Sequence, residues 1–287
     1  MTSRHISFKI IKFVGMMKVT LIGAGNLATQ LGKSLKKAGV IISQVYSRTE
    51  DSARTLGELL EAEWLTDIKA LRDEADIYIF SVKDSVLCEL ISEVCKGRGD
   101  KLFLHTAGSM PMSCFEGKAL RYGVFYPMQT FSKTKNVDFE RIPVFIEGNS
   151  IETEDVIRSL ANKLTQRVIR LSSADRKYLH LAAVWACNFT NYCYTVASDI
   201  LGEHGIPFDV MLPLINETTE KIQKISPKEA QTGPAVRGDR NVMSKQLELM
   251  NGKEDLQELY RMLSKGINPL VDNLTLEKDR LIINSNI

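Results

Sequence analysis

The chain has 287 residues, 44% apolar and 25% charged, an ordinary composition for a globular protein with room for two domains that each bury a core. A net charge of +2 gives no case for nucleic acid or an anionic membrane as partner, and no run approaches the about 20 apolar residues that a membrane span needs. The five cysteines, Cys88, Cys95, Cys114, Cys187 and Cys193, are scattered without metal-type pairing, and an odd number argues against a disulfide framework. No metal site is therefore expected, and a reducing cytoplasm is the expected home.

Met1–Gly15 mixes Arg4, Lys9 and Lys12 with short apolar pieces and shows no cleavage site, so it reads as an extension, with Met16 or Met17 as a candidate start. The first strand, Lys18–Ile22, runs into Gly23-Ala24-Gly25-Asn26-Leu27-Ala28 and an amphipathic helix that Gly39 stops. This spacing fits a dinucleotide-phosphate turn: Gly23 permits the sharp bend, Gly25 leaves room for pyrophosphate, and Ala28 lets helix and strand pack closely. Free N–H groups at the helix start would hold the anion. Val40–Tyr46 is a second strand, ending at Ser47-Arg48-Thr49. An acid at such a strand end suits a ribose 2′-hydroxyl and an arginine suits a 2′-phosphate, so Arg48 favours NADP over NAD. A solvated arginine at a strand end is the plainer alternative.

Asp51–Ala62 reads as a helix, Trp64–Thr66 as a short strand and Asp67–Glu74 as another helix. Ala75–Val82 is almost continuously apolar, as a strand buried on both faces must be, and its carboxyl end, Ser81-Val82-Lys83-Asp84, is expected to open onto the cofactor crevice. A helix over Ser85–Cys95 leads to a strand over Lys101–Ala107, which carries Thr106 and ends at Gly108-Ser109. Strands over 122–126, 144–148 and 167–171 and a helix over 151–164 complete a doubly wound, mainly parallel Rossmann sheet, an α/β domain that we bound at residues 16–172. Ligands of such sheets lie beyond the carboxyl ends of the strands.

From Ala174 the pattern turns helical to the end of the chain, giving an all-helical substrate and dimerisation domain over 173–287. One helix spans Ala174–Glu203, and others cover 208–225, 241–250 and 255–272. Inside the long helix, His180, Cys187 and Asn191 fall within about 20° of one stripe at about 100° per residue, with Asn188 beside it. Polar groups in an apolar stretch need partners wherever they are buried, and a stripe facing the cofactor crevice would supply them. His105 reads as structural and His204 as a surface residue. Thr232–Asp239 carries two glycines and a proline that forbid an ordinary helix, so it reads as a shaped loop in which Arg237 could hold a carboxylate and Asp239 orient it.

Ile22-Gly-Ala-Gly-Asn26, His105-Thr-Ala-Gly-Ser109, Tyr126-Pro-Met128, His180 through Asn188 and Thr232 through Asp239 together resemble the Rossmann-like and DUF2520 oxidoreductases. That family is similar to pyrroline-5-carboxylate reductases, ketopantoate reductases and β-hydroxyacid dehydrogenases. The resemblance implies an NADP-binding domain followed by a helical domain like that of 6-phosphogluconate dehydrogenase, often dimerising. Two departures stand out: Val184 occupies the place of the dehydrogenases' lysine before Asn188, and the Ser-Pro-Gly-Gly-Thr-Thr loop of the pyrroline-5-carboxylate reductases is missing. Lys83 does match the reductases' Val-Lys pair near the nicotinamide.

The function expected is NADP-dependent hydride transfer to or from a small carbonyl, imine or hydroxy acid, with a carboxylate on the substrate. His180 is the expected proton donor, since an unperturbed imidazole titrates near about 6.5. Asn188 and Lys83 would stabilise the reacting oxygen. Gly23, Ala24, Gly25, Asn26, Leu27, Ser47, Arg48, Thr49, Ser81, Val82, Lys83 and Thr106 would hold the cofactor, and Ser109, Asn191, Arg237 and Asp239 the substrate. A homodimer is expected. The alternative is a non-catalytic NADP-binding sensor or scaffold, while flavin or S-adenosylmethionine on the same turn is disfavoured by Arg48.

Overall fold

A computed structural model describes residues 17–271, in two compact units that divide between Cys193 and Tyr194. The extension Met1–Gly15 and the end of the last expected helix lie outside the described residues.

The first unit holds an eight-stranded sheet: β1 (Lys18–Ile22), β2 (Ile41–Tyr46), β3 (Glu63–Leu65), β4 (Ile77–Phe80), β5 (Leu102–His105), β6 (Arg121–Pro127), β7 (Val144–Gly148) and β8 (Val168–Arg170). Their order is β3-β2-β1-β4-β5-β6-β7-β8. The first six are mutually parallel, β7 runs antiparallel to β6, and β8 is parallel to β7. Every residue of β4 and β5 is buried, as the apolar run of β4 and the Leu-Phe-Leu of β5 require of strands covered on both faces, and His105 is buried with them. One apolar core joins Val19, Leu21 and Ile79 to Leu31 and Leu35 of α1 (Asn26–Lys37), and the other joins Tyr78, Phe80 and Phe103 to Leu87 and Ile91 of α3 (Asp84–Val94).

The register aligns the strand ends. Ile22 pairs with both Tyr46 and Phe80, and Phe80 with His105, so the segments beginning at Gly23, Ser47, Ser81 and Thr106 leave the sheet in one row. His105 pairs in turn with Val124, so β6 carries Tyr126 two residues beyond that row.

Helices α2 (Glu50–Leu60) and α4 (Ile151–Ala161) complete the layers around the sheet. The helix expected over Asp67–Glu74 is only a single 3₁₀ turn, Ile68–Ala70. Asp67 caps it through Lys69 N, and Leu71 is already extended, because so short a segment cannot offset the cost of helix nucleation.

The long helix forms, but not uniformly. It comprises α5 (Ser173–Ala183), a π-helical segment Val184–Phe189 and α6 (Thr190–Glu203). A wider turn rotates each residue less than an α-turn does, so even 100° spacing from His180 fails beyond Ala183.

In the second unit, a 3₁₀ turn (Phe208–Met211) precedes α7 (Leu212–Lys221), where one longer helix was expected. There follow α8 (Pro227–Ala230), α9 (Pro234–Arg237), α10 (Arg240–Glu248) and α11 (Glu254–Ile267). The segment read as a loop at Thr232–Asp239 contains the one-turn α9. Pro234 opens it and Gly238, at φ 65°, closes it, so glycine and proline delimit a turn of helix rather than prevent one. Ala235, Met243, Leu247, Met250 and Val271 form its buried cluster.

Candidate functional site

Within the first unit the row of strand ends opens into a cleft of about 620 Å3. Its floor is the glycine turn. Gly23 has φ 116°, and a Cβ there would lie 2.2 Å from the Ser81 carbonyl oxygen, so no other residue fits between β1 and β4. A Cβ on Gly25 would meet nothing within 4 Å, since that face of the backbone opens into the cleft. Gly25 is the N-cap of α1, with no side-chain cap and no acid in the first turn. The leading N–H groups of α1 therefore face this cradle without competition from a carboxylate. A pyrophosphate needs such a surface, so the residues present fit a dinucleotide.

Ser47, Arg48, Thr49 and Ser52 line one side of the cleft, and Thr49 caps α2 without using its hydroxyl. Arg48 is exposed there. On the other side stand Ser81, Val82 and Lys83, together with Thr106, whose hydroxyl donates to the Phe80 carbonyl at 3.2 Å. All twelve residues expected to hold the cofactor line this single cleft, and so does His180. Asn26 also anchors a loop, because its side-chain amide donates to the Phe131 carbonyl at 3.0 Å. Gln30 donates to Ser132 O at 2.7 Å and Lys33 bonds Asn136. These contacts fasten the β6–β7 loop onto α1 and bring Gln129 and Lys133 to the cleft wall.

His180 reaches the cleft from α5, where Nδ1 lies 3.3 Å from the Tyr126 hydroxyl. Burial holds the Tyr126 phenol above its ordinary value, against the opposing pull of the Arg176 charge, so it keeps its proton at neutral pH. The start of α5 is fixed by a buried network. Arg176, only 1% exposed, donates to Glu147 Oε2 at 2.8 Å, Met110 O at 2.6 Å and Ala107 O at 3.3 Å. Ser173 also donates to Glu147. His105 is part of the wall behind: it is fully buried, stacked on Phe115, and accepts from Ala107 N at 3.2 Å. Burial, with a smaller push from the Arg176 charge, takes its imidazole down to about 3, so it is neutral and structural.

Asn188, within the π-helical segment, and Asn191, just beyond it, are exposed and are not among the residues lining this cleft. Ser109 is not among the lining residues either, but it bonds Asp84, which is. Arg237 and Asp239 belong to the second unit, where Asp239 caps α10 by accepting from Val242 N at 3.2 Å. Among the lining residues missed from sequence are Tyr126, Gly108, Gln129, Lys133 and Ser52, whereas Asp84 was expected at the cleft with Ser81–Lys83. Tyr126 and Gly108 stood inside motifs already singled out; Lys133 gave no local signal, because only the tethered loop brings it here.

The sequence matches the coenzyme F420-dependent NADP oxidoreductase family over residues 18–107 and the domain of unknown function DUF2520 over residues 142–267. A solved structure from Bacteroides fragilis, described as an NADP oxidoreductase, is 49% identical, with a TM-score of 0.86 over 88% of this chain and 98% of its own. A pyrroline-5-carboxylate reductase of Streptococcus pyogenes is 14% identical, with a TM-score of 0.58 over 88% and 99%. A Plasmodium falciparum pyrroline carboxylate reductase with NADP bound is also 14% identical, with a TM-score of 0.54 over 87% and 100%. The last two likenesses show a shared fold. No curated protein matches the sequence.

Proposed function

Because this chain belongs to the NADP oxidoreductases that join a Rossmann domain to a DUF2520 domain, we propose that it reduces a small carbonyl or imine, or oxidises the corresponding product, with His180 as proton donor. One observation carries the reading: the glycine turn, Lys83 and His180 line the same cleft. NADPH, when bound, supplies a hydride with both its electrons. His180, protonated, would give its proton to the carbonyl oxygen or imine nitrogen that gains the electron pair of the double bond, leaving the imidazole neutral. Lys83 offsets the negative charge as it develops, and it is a cation available in the cleft to a substrate carboxylate. Arg48, with Ser47 and Thr49, takes the 2′-phosphate, and Lys133 adds a second cation to the wall. The role proposed for Asn188 in stabilising the reacting oxygen, and those proposed for Asn191, Ser109, Arg237 and Asp239 in holding substrate, rest on sequence alone.

Two further parts of the reading concern the whole protein. The dinucleotide-binding domain is placed at 16–172, supported by β8 at Val168–Arg170, the last strand among the described residues. A cytoplasmic homodimer is the proposed form. Among the described residues no helix is long and apolar enough to cross a membrane.

The test is a panel of 2-keto acids and cyclic imines followed by NADPH oxidation. His180→Gln should lower turnover on a responding substrate about 10²–10⁴-fold with NADPH affinity nearly unchanged. Turnover that survives the substitution would remove His180 from the chemistry. Tight NADPH binding with no turnover across the panel would favour the sensor instead.

A further inference from the structure

Tyr126 and Gly108 bound the His180 imidazole, and Arg176 fixes the helix that carries it. The Tyr126 hydroxyl lies 3.3 Å from His180 Nδ1, and the two rings meet edge to face, with centroids 6.4 Å apart at 74°. The phenol is 8% exposed and packs against Phe145 on the neighbouring strand. On another side, Gly108 leaves the ring its space: a Cβ there would stand 2.6 Å from His180 Nδ1 and 2.8 Å from Cγ. The third constraint is Arg176, one helical turn earlier, tied to the Ala107 and Met110 carbonyls on either side of Gly108 and to Glu147.

We propose that Tyr126 is a positioning residue that occupies Nδ1 of His180 and so leaves Nε2, carrying hydrogen, as the nitrogen that faces the substrate. This rests on the reading of His180 as proton donor and adds which atom donates and what selects it. The chemistry favours a hydroxyl in this role. A buried phenol needs an acceptor for its proton, and Nδ1 is the partner it has among the described residues, so with a neutral ring Tyr126 donates to Nδ1 and the ring hydrogen stays on Nε2. With a charged ring both nitrogens carry hydrogen, and the phenol oxygen turns to accept from Nδ1. In either state Nε2–H is presented to the cleft. A phenylalanine could fill the same volume and do neither.

The full chain contains four histidines, so its ¹⁵N-imidazole spectrum is simple enough to assign, with His180→Gln identifying the His180 resonances. At about pH 9, where an ordinary imidazole is neutral, wild-type His180 should show hydrogen on Nε2 and an Nδ1 resonance displaced by accepting a hydrogen bond. In Tyr126→Phe the Nδ1 resonance should leave its hydrogen-bonded position, and hydrogen should populate Nδ1 as well as Nε2, since nothing then selects between the two nitrogens. Hydrogen found on Nδ1 in the wild type, or an Nδ1 resonance unmoved in Tyr126→Phe, would overturn the proposal. Should Tyr126→Phe fail to fold, the wild-type Nδ1 resonance still decides, because an Nδ1 at the position of a free acceptor would overturn the proposal. The two failures remain separable: unchanged turnover in His180→Gln rejects the donor and leaves the tautomer standing, whereas an unmoved Nδ1 rejects Tyr126 and leaves the donor standing.

Discussion

Arg48 is the residue on which cofactor choice turns in the proposed reading. It stands where β2 ends, beside two hydroxyls that no cap consumes, and it carries no ion pair among the described residues. A cation so placed gains most from a ligand bearing an extra phosphate. Arg48→Asp should weaken NADPH by roughly 1–3 kcal/mol, the scale of a lost charge-assisted contact, and NADH much less. Titration of both cofactors by fluorescence checks this, and equal losses would reject the 2′-phosphate assignment. His105 and His180 show how environment separates two copies of one side chain. The first is fully buried and driven to about 3, out of the range in which it could exchange protons, while the second lies on the cleft wall with a hydroxyl partner. Sequence told them apart only through their neighbours, since His105 closes an apolar strand and His180 interrupts an apolar helix.

The element that matters most is α5, because it carries His180. Ser172 caps it by accepting from Asp175 N, a signal readable from the sequence alone. Its lateral position depends instead on Arg176 and Glu147, which are 29 residues apart and gave no hint of pairing. A guanidinium with 1% exposure tolerates no loss of its counter-charge. Glu147→Gln should cost about 3–5 kcal/mol in urea unfolding, and combining it with Arg176→Met should recover most of that, because the charge left stranded is then gone. A single-variant loss below about 0.5 kcal/mol would mean that the network does not hold the helix. The π-helical segment Val184–Phe189 was equally hidden. Its residues continue the apolar helical pattern, and nothing in their composition marks a wider turn.

At the scale of the whole molecule, both units leave apolar surface open. The first exposes Tyr178, Leu181, Trp185 and Phe189 along its last helical stretch, and the second buries only a modest cluster while Leu214, Met262 and Leu270 stay exposed. Contiguous apolar surface on a helix is more often an interface than a solvated face, which supports the proposed homodimer. Sedimentation at micromolar concentration should show twice the single-chain mass, and Trp185→Glu should shift it toward the monomer. A wild-type protein that sediments as a single chain would count against the dimer.

The sequence by itself determined the α/β class, the glycine turn, the order of strands and helices, and the family with its cofactor. Each is written in contiguous residues: runs buried on both faces, a three-residue glycine spacing, a capped helix start. Short elements escaped it, as at Ile68–Ala70 and Pro234–Arg237, because a single turn has too few residues for periodicity to show. Only the tertiary structure decided how the cleft is walled. The β6–β7 loop reaches it because Asn26 and Gln30 on α1 bond its backbone, and Tyr126 reaches it because β6 runs two residues past the aligned strand ends. The pairing of Tyr126 with His180, 54 residues away, depends on a side-chain gap at Gly108 and a buried ion pair beneath α5, contacts that arise only once distant segments pack.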